Sequence, residues 1–249
     1  MASNYLKLND DKTEFIVLGS HHNLQKVTKN SVLVGDHEIS SSSSVRNIGA
    51  LFDAQMKMDK QVSSICKSAW FHLHQLSKIR KYLSVDQMKI VIHTFVTSKL
   101  DQNNSLLANL PDCQIIKLQR VQNCAAKLIF KAKKHDHVTS LFFELHWLPV
   151  HERIIFKVLL LTYKSLHGQG PQYLKDLLVW HRPACSLRSA NSLQLDIPRT
   201  NFKTFGDRAF AAAAPKMWNS LPSYLRECSS VESFKQHLKT HLFKLAFNC

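Results

Sequence analysis

Glycine and proline are scarce, with 6 and 7 in 249 residues. That excludes collagen-like repeats and Pro-rich linkers. Long apolar runs are missing too. The most apolar stretch, residues 154–163, is interrupted by Lys157 and is far shorter than the ~20 residues of a membrane-spanning helix. No Cys-x2–4-Cys step occurs among the cysteines, so the usual ligand spacing of a structural zinc site is lacking. There is no Gly-x-Ser-x-Gly elbow and no Gly-rich phosphate loop. Gly168-Gln-Gly170 reads as a helix stop before Pro171. Acids are few: 18 Asp and Glu stand against 33 Lys and Arg, a formal charge of +15. A chain this basic repels itself unless an acidic partner binds it, with nucleic acid first and an anionic membrane second.

What is present describes a packed protein. The chain is 45% hydrophobic, enough for a core and too much for a wholly disordered chain. The six cysteines, Cys66, Cys113, Cys124, Cys185, Cys228 and Cys249, are widely scattered and read as reduced thiols. Residues 1–19 include Lys7, Asp10, Asp11, Lys12 and Glu14 without an apolar core, so no signal peptide is expected. The expected location is nucleus or cytoplasm, not secreted.

Charge and texture divide the chain into three parts. Residues 1–53 carry five basic and six acidic side chains, residues 54–135 fourteen and four, and residues 136–249 fourteen and eight. The first part reads as β, with strands over 14–19, 31–35 and 45–52. The second is helical. Val62, Ile65, Cys66, Ala69, Trp70, Leu73 and Leu76 form one apolar stripe. A capping box at Ser84 and Gln87 opens a second helix, which turns Met88, Val91, Ile92, Phe95 and Val96 inward. A third follows Pro111 through Ile115, Leu118, Val121, Ala125 and Leu128. The last part is mostly helical. It holds a helix over about 149–167 stopped by Gly168, another from Pro171 through Leu178, and alternation at Leu193, Leu195 and Ile197. Pro215 is expected to end or kink its helix, and Ser229 with Glu232 to cap a final one. The fold class is therefore α+β, predominantly α-helical.

Few constellations suggest chemistry. His237 and His241 stand one helical turn apart, but no third ligand joins them in sequence. Asp10-Asp11 is the only adjacent acidic pair considered for two-metal chemistry, and it reads as a turn. A Cys–His pair is not selected by any motif. The residues alone complete no active site. The basic row fares better. Lys117, Arg120, Lys127, Lys131, Lys133 and Lys134 recur at near-helical spacing, and Asp112 is the only acid between Pro111 and His135. Such a row can track a phosphate backbone. Trp147 and Trp218 are candidates to stack on bases, although at helical spacing such residues more often belong to a core.

Seven stretches in order resemble the C-terminal part of a non-LTR (LINE-type) retrotransposon reverse transcriptase. Met1-Ala-Ser-Asn-Tyr-Leu-Lys-Leu-Asn-Asp-Asp-Lys-Thr-Glu14 looks like the palm strand and turn after the catalytic Tyr-Ala-Asp-Asp motif. Val45-Arg-Asn-Ile-Gly-Ala-Leu-Phe-Asp53 looks like the next palm strand, near the primer grip. Ser98-Lys-Leu-Asp-Gln-Asn-Asn-Ser-Leu-Leu107, Leu118-Gln-Arg-Val-Gln-Asn-Cys-Ala-Ala-Lys127 and Leu145-His-Trp-Leu-Pro-Val150 resemble the thumb and the segments C-terminal to it. Trp218-Asn-Ser-Leu-Pro222 and Phe234-Lys-Gln-His-Leu-Lys-Thr-His-Leu-Phe243 are similar to the family's C-terminal end. Gln102 and Asn103 depart from the family, where Tyr and Cys are common.

The resemblance implies a small palm remnant over 1–53, a basic thumb-like region over 54–135 and a mostly helical region over 136–249. Lys12 matches the palm lysine that protonates the pyrophosphate leaving group. The family's Mg²⁺-binding aspartates map upstream of Met1, so no cofactor is expected in this chain. The expectation is a truncated RNA-directed DNA polymerase fragment that binds RNA or an RNA–DNA duplex without polymerising. It would not bind membranes, and the exposed palm remnant could mediate self-association. The alternatives are a non-enzymatic helical protein-interaction remnant and a decayed reading frame without a selected role.

Overall fold

Apolar residues at helical spacing dominate after residue 58, and helices dominate the structure there. The computed structural model describes residues 9, 12–35, 37–133, 135–182, 193–201 and 205–248. Among them are eleven α-helical segments and four short strands, so the fold is α+β and predominantly helical. The chain divides into two compact units, Met1–Ser64 and Ile65–Cys249.

In the first unit a short helix, α1 (His21–Leu24), precedes two antiparallel hairpins. One pairs β1 (Ser31–Val34) with β2 (His37–Ser40), and the other pairs β3 (Ser44–Asn47) with β4 (Ala50–Asp53). The strand expected over 45–52 is thus a hairpin. Ile48 and Gly49 both adopt positive φ, 46° and 79°, the two-residue turn whose twist suits paired strands. The expected strand over 14–19 is reduced to a single bridge between Phe15 and Ser41. Asp53 organises the exit from β4. Its carboxylate accepts from the backbone N–H groups of Gln55, Lys57 and Met58 at 3.2, 2.9 and 2.6 Å. Helix α2 (Asp59–Ile79) starts immediately after. Its buried Gln61 accepts from Leu51 N–H at 2.8 Å, which fixes the hairpin to the first turn of the helix.

The second unit continues α2 into a 3₁₀ turn, Arg80–Tyr82. Helix α3 (Val85–Ile92) opens with the expected box: Ser84 Oγ accepts from Gln87 N–H, and Gln87 Oε1 from Ser84 N–H. A π-helical turn, His93–Thr97, leads into α4 (Ser98–Asp101). That bulge turns Phe95 out to 45% exposure while Val96 is buried. A 3₁₀ turn, Asn104–Leu107, then leads to α5 (Asp112–Phe130) and α6 (Thr139–Leu145).

Helix α7 (Val150–Leu166) is the central element, packing against α5, α9 and α11. It stops as expected. Gly168 takes φ +69°, and Gln169 N–H returns to the Lys164 carbonyl at 2.8 Å. Gly170 lies hard against it, since a Cβ there would meet Ser165 Oγ at 2.8 Å. The helix after Pro171 is a single turn, α8 (Gln172–Lys175). The alternation at 193–197 forms one bridge, Trp180 to Leu195, and only Leu195 of the three apolar residues is buried.

Pro215 does not end its helix. Helix α9 (Phe210–Asn219) runs through it, giving up the one N–H that would have bonded the Ala211 carbonyl. After α10 (Ser223–Arg226) comes α11 (Val231–Phe247). Its cap is Ser230, whose Oγ accepts from Ser233 N–H, so the helix begins one residue later than the Ser229 box implied. The core centres on Tyr163, Trp218 and Phe234, all 1% exposed or less. Tyr163 stacks on Phe234 with centroids 4.3 Å apart and donates its hydroxyl to the Cys228 carbonyl at 2.7 Å. Among the described residues no helix is long and apolar enough to cross a membrane.

Candidate nucleic-acid interface

Pro111 precedes α5, and Asp112 complements the positive end of the helix dipole. Gln114, Ile115, Leu118, Val121, Gln122, Ala125, Ala126 and Ile129 form its buried face. At 100° per residue, Lys117, Arg120 and Lys127 fall within an arc of about 80° on the opposite side. Lys117 and Arg120 are exposed, and Lys127 is half-buried. Lys117 Nζ donates to Gln114 Oε1 at 3.1 Å.

The row is shorter than the sequence spacing implied. Lys131 takes a left-handed conformation, φ 54°, and ends the helix. Lys131 and Lys133 are exposed beyond it, where Lys133 N–H donates to Asp136 Oδ2 at 2.6 Å. Lys134 lies outside the described residues.

The end of α5 is fixed by a residue that its charge alone would place on the surface. Arg80 is 7% exposed. Its Nε donates to the Leu128 carbonyl at 2.8 Å, its Nη2 to Ile129 at 2.5 Å and its Nη1 to Leu83 at 2.7 Å. A guanidinium here satisfies the last carbonyls of the helix and meets its negative dipole end.

The middle of α5 is tied to α7 and the residues just before it. Gln119 Oε1 accepts from Val150 N–H at 2.8 Å, and Gln122 Nε2 donates to the Leu148 carbonyl at 2.9 Å. Arg153 donates through Nε to the same Leu148 carbonyl and through Nη1 to both oxygens of Asp101, at 3.0 and 2.7 Å. Residues from the 98–107, 118–127 and 145–150 stretches therefore meet at the start of α7. No pattern in the sequence signals these contacts, which link positions up to 52 residues apart.

The basic row also shapes its thiols. Burial pushes the Cys66 thiol up, and nearby Lys117 partly opposes it. Burial likewise raises Cys124, with Lys127 opposing. Both remain thiols at neutral pH, unlike a catalytic thiolate. The four described cysteines, Cys66, Cys113, Cys124 and Cys228, are free.

The remaining candidates separate. Lys12 is exposed on a turn, its N–H donating to Asn9 Oδ1 at 3.2 Å; Asp10 and Asp11 lie outside the described residues. His237 is exposed, with Nδ1 3.3 Å from Ser233 Oγ and 3.7 Å from Cys228 Sγ. His241 is half-buried, and burial lowers its pKa. No cluster of three metal-binding side chains occurs among the described residues. Trp218 is core, its indole donating to the Leu193 carbonyl at 2.8 Å. Trp147 is half-buried, packed edge-on against Phe142 and beneath the Arg153 guanidinium.

The chain matches no family model, no curated protein and no solved structure.

Proposed function

We propose that this chain is a truncated reverse-transcriptase fragment of the non-LTR type that grips an RNA–DNA or RNA duplex and does not polymerise. The observation that carries the binding is the α5 face, where Lys117, Arg120 and Lys127 share one side and Asp112 is the only acid of the helix. A row of cations on one rigid helix can follow a phosphate backbone and release its counterions without reading bases. Arg80 holds the C-terminal end of that helix and Gln119 and Gln122 hold its middle, so the row is positioned before a duplex arrives. The polymerase lineage rests on the ordered stretches alone. The test is fluorescence anisotropy of a labelled RNA–DNA hybrid with the full chain, alongside primer extension with Mg²⁺. Binding of about micromolar strength or weaker, indifferent to sequence and steep in salt, supports the proposal. Template-directed extension above a mock preparation contradicts it.

A second reading, a helical protein-interaction remnant, is favoured by a different surface. Trp70, Phe71, Ile90 and Phe95 are 43%, 60%, 67% and 45% exposed. His72 links Phe71 to Phe95, at centroid distances of 5.5 and 5.3 Å. Phe71, His72 and Phe95 thus form one aromatic cluster at the surface, and contiguous exposed apolar groups mark interaction surfaces more often than scattered ones do. Failure of the hybrid to bind, with capture of a protein partner abolished by Phe71→Ser, would favour this reading.

A further inference from the structure

A second cationic feature lies at the start of α7. Asp101, Asn104, Trp147, Arg153, Phe156, Lys157 and Lys239 line a cleft of about 470 Å³, within the size range of small-ligand sites. Its single carboxylate, Asp101, is already held by Arg153 at 2.7 Å. Lys157 and Lys239 add two further positive charges, and neither has an acidic partner among the described residues. They come from different helices, α7 and α11, which pack together.

Asn104 adds a more specific demand. It is 4% exposed, and its Oδ1 has no hydrogen-bond partner in the structure. A buried carboxamide oxygen without a donor is costly and rare, and commonly marks a place for water or a ligand. Trp147 and Phe156 supply flat apolar wall beside these groups. The cleft therefore calls for one molecule with an anionic end, a hydroxyl or amine donor and a flat apolar body.

We propose that the cleft binds a nucleoside monophosphate. The phosphate pairs with Lys157 and Lys239, a ligand donor satisfies Asn104, and the ring covers Trp147 and Phe156. This site is separate from the α5 row and does not depend on duplex binding.

Isothermal titration of the full chain with AMP, adenosine and inorganic phosphate tests the assignment. AMP should bind saturably, one molecule per chain, and adenosine and inorganic phosphate about ten-fold more weakly or worse, since each lacks one half of the recognition. The double substitution Lys157→Gln, Lys239→Gln should weaken AMP about ten-fold or more while leaving the circular dichroism and Tm unchanged. The triple substitution Lys117→Gln, Arg120→Gln, Lys127→Gln should leave AMP affinity as it was. AMP no tighter than inorganic phosphate, an unaffected lysine double variant, or loss of AMP in the α5 variant would each overturn the proposal.

Discussion

The Arg80 guanidinium donates to the Ile129 carbonyl at 2.5 Å and, through Nε, to the preceding carbonyl. One buried cation thus closes the C-terminal end of the helix that carries the basic row. Charge-assisted hydrogen bonds of this kind contribute more than neutral ones, and deleting the donor strands buried acceptors. Arg80→Met should cost about 2–3 kcal/mol of stability. Urea unfolding of the two proteins measures it. A loss below about 0.5 kcal/mol, the range of ordinary surface substitutions, would show that the contact is dispensable.

The two units should differ in stability. Within Met1–Ser64 the described residues bury few side chains, chiefly Ala50, Met58, Gln61 and Val62, and each sheet has only two strands. Isolated hairpins are marginal in water. Amides of β1 to β4 should exchange first in native-state hydrogen exchange, and those of α5 and α7 last. Ile48→Asn should slow exchange across β3 and β4, because Asn tolerates the positive φ that a β-branched residue resists. Protection in the hairpins equal to that of α7 would instead indicate a partner for the open edges, such as a second copy of the chain.

Two histidines should titrate on opposite sides of the usual value of 6.5. Hydrogen bonding to Glu152 raises His151, aided by the charges of Glu152 and Asp112 and opposed by burial. Burial lowers His241. For His151 the folded pKa exceeds the unfolded one, so its contribution is complete below about 6.5 and fades as pH rises through the folded value. For His241 the contribution is present above about 6.5 and is lost as pH falls through its depressed folded value. NMR titration of the ring protons reads both directly. Glu152→Gln should bring His151 back down; an unchanged His151 would remove Glu152 as the cause.

Much of the fold is legible in the sequence where side chains obey a period. The α5 stripe is buried at Ile115, Leu118, Val121 and Ala125 as its spacing predicts, the α2 stripe is buried at Val62, Ile65, Ala69, Leu73 and Leu76 but leaves Trp70 43% exposed, and Ser84 and Gly168 mark real helix boundaries. Illegible features are those where tertiary context overrides a local rule. Arg80 reads as surface charge until its carbonyl partners, 48 and 49 residues away, are known. Ile48-Gly49 lacks the usual Asn or Asp of a hairpin turn, so the local pattern predicts one strand where two stand. Lys131 continues the charge pattern while the backbone leaves the helix. Asp101 with Arg153, and Gln119 with Val150, join distant stretches through contacts that no local pattern encodes.

Duplex binding rests on the basic row of α5, and a salt titration isolates that contribution. Hybrid binding by the wild type and by the Lys117→Gln, Arg120→Gln, Lys127→Gln variant is compared over a range of salt concentrations. Each phosphate contact contributes roughly −0.9 to the log–log slope on B-form duplex, and a shallower slope is expected on a hybrid. The variant should bind every sequence more weakly, with a slope flatter by on the order of 2. Its folding should be nearly intact, since the exposed charges of Lys117 and Arg120 contribute little to stability and Lys127→Gln keeps a long polar side chain at the half-buried position. Equal affinities and equal slopes would contradict the account and reduce the row to a solvated helix face.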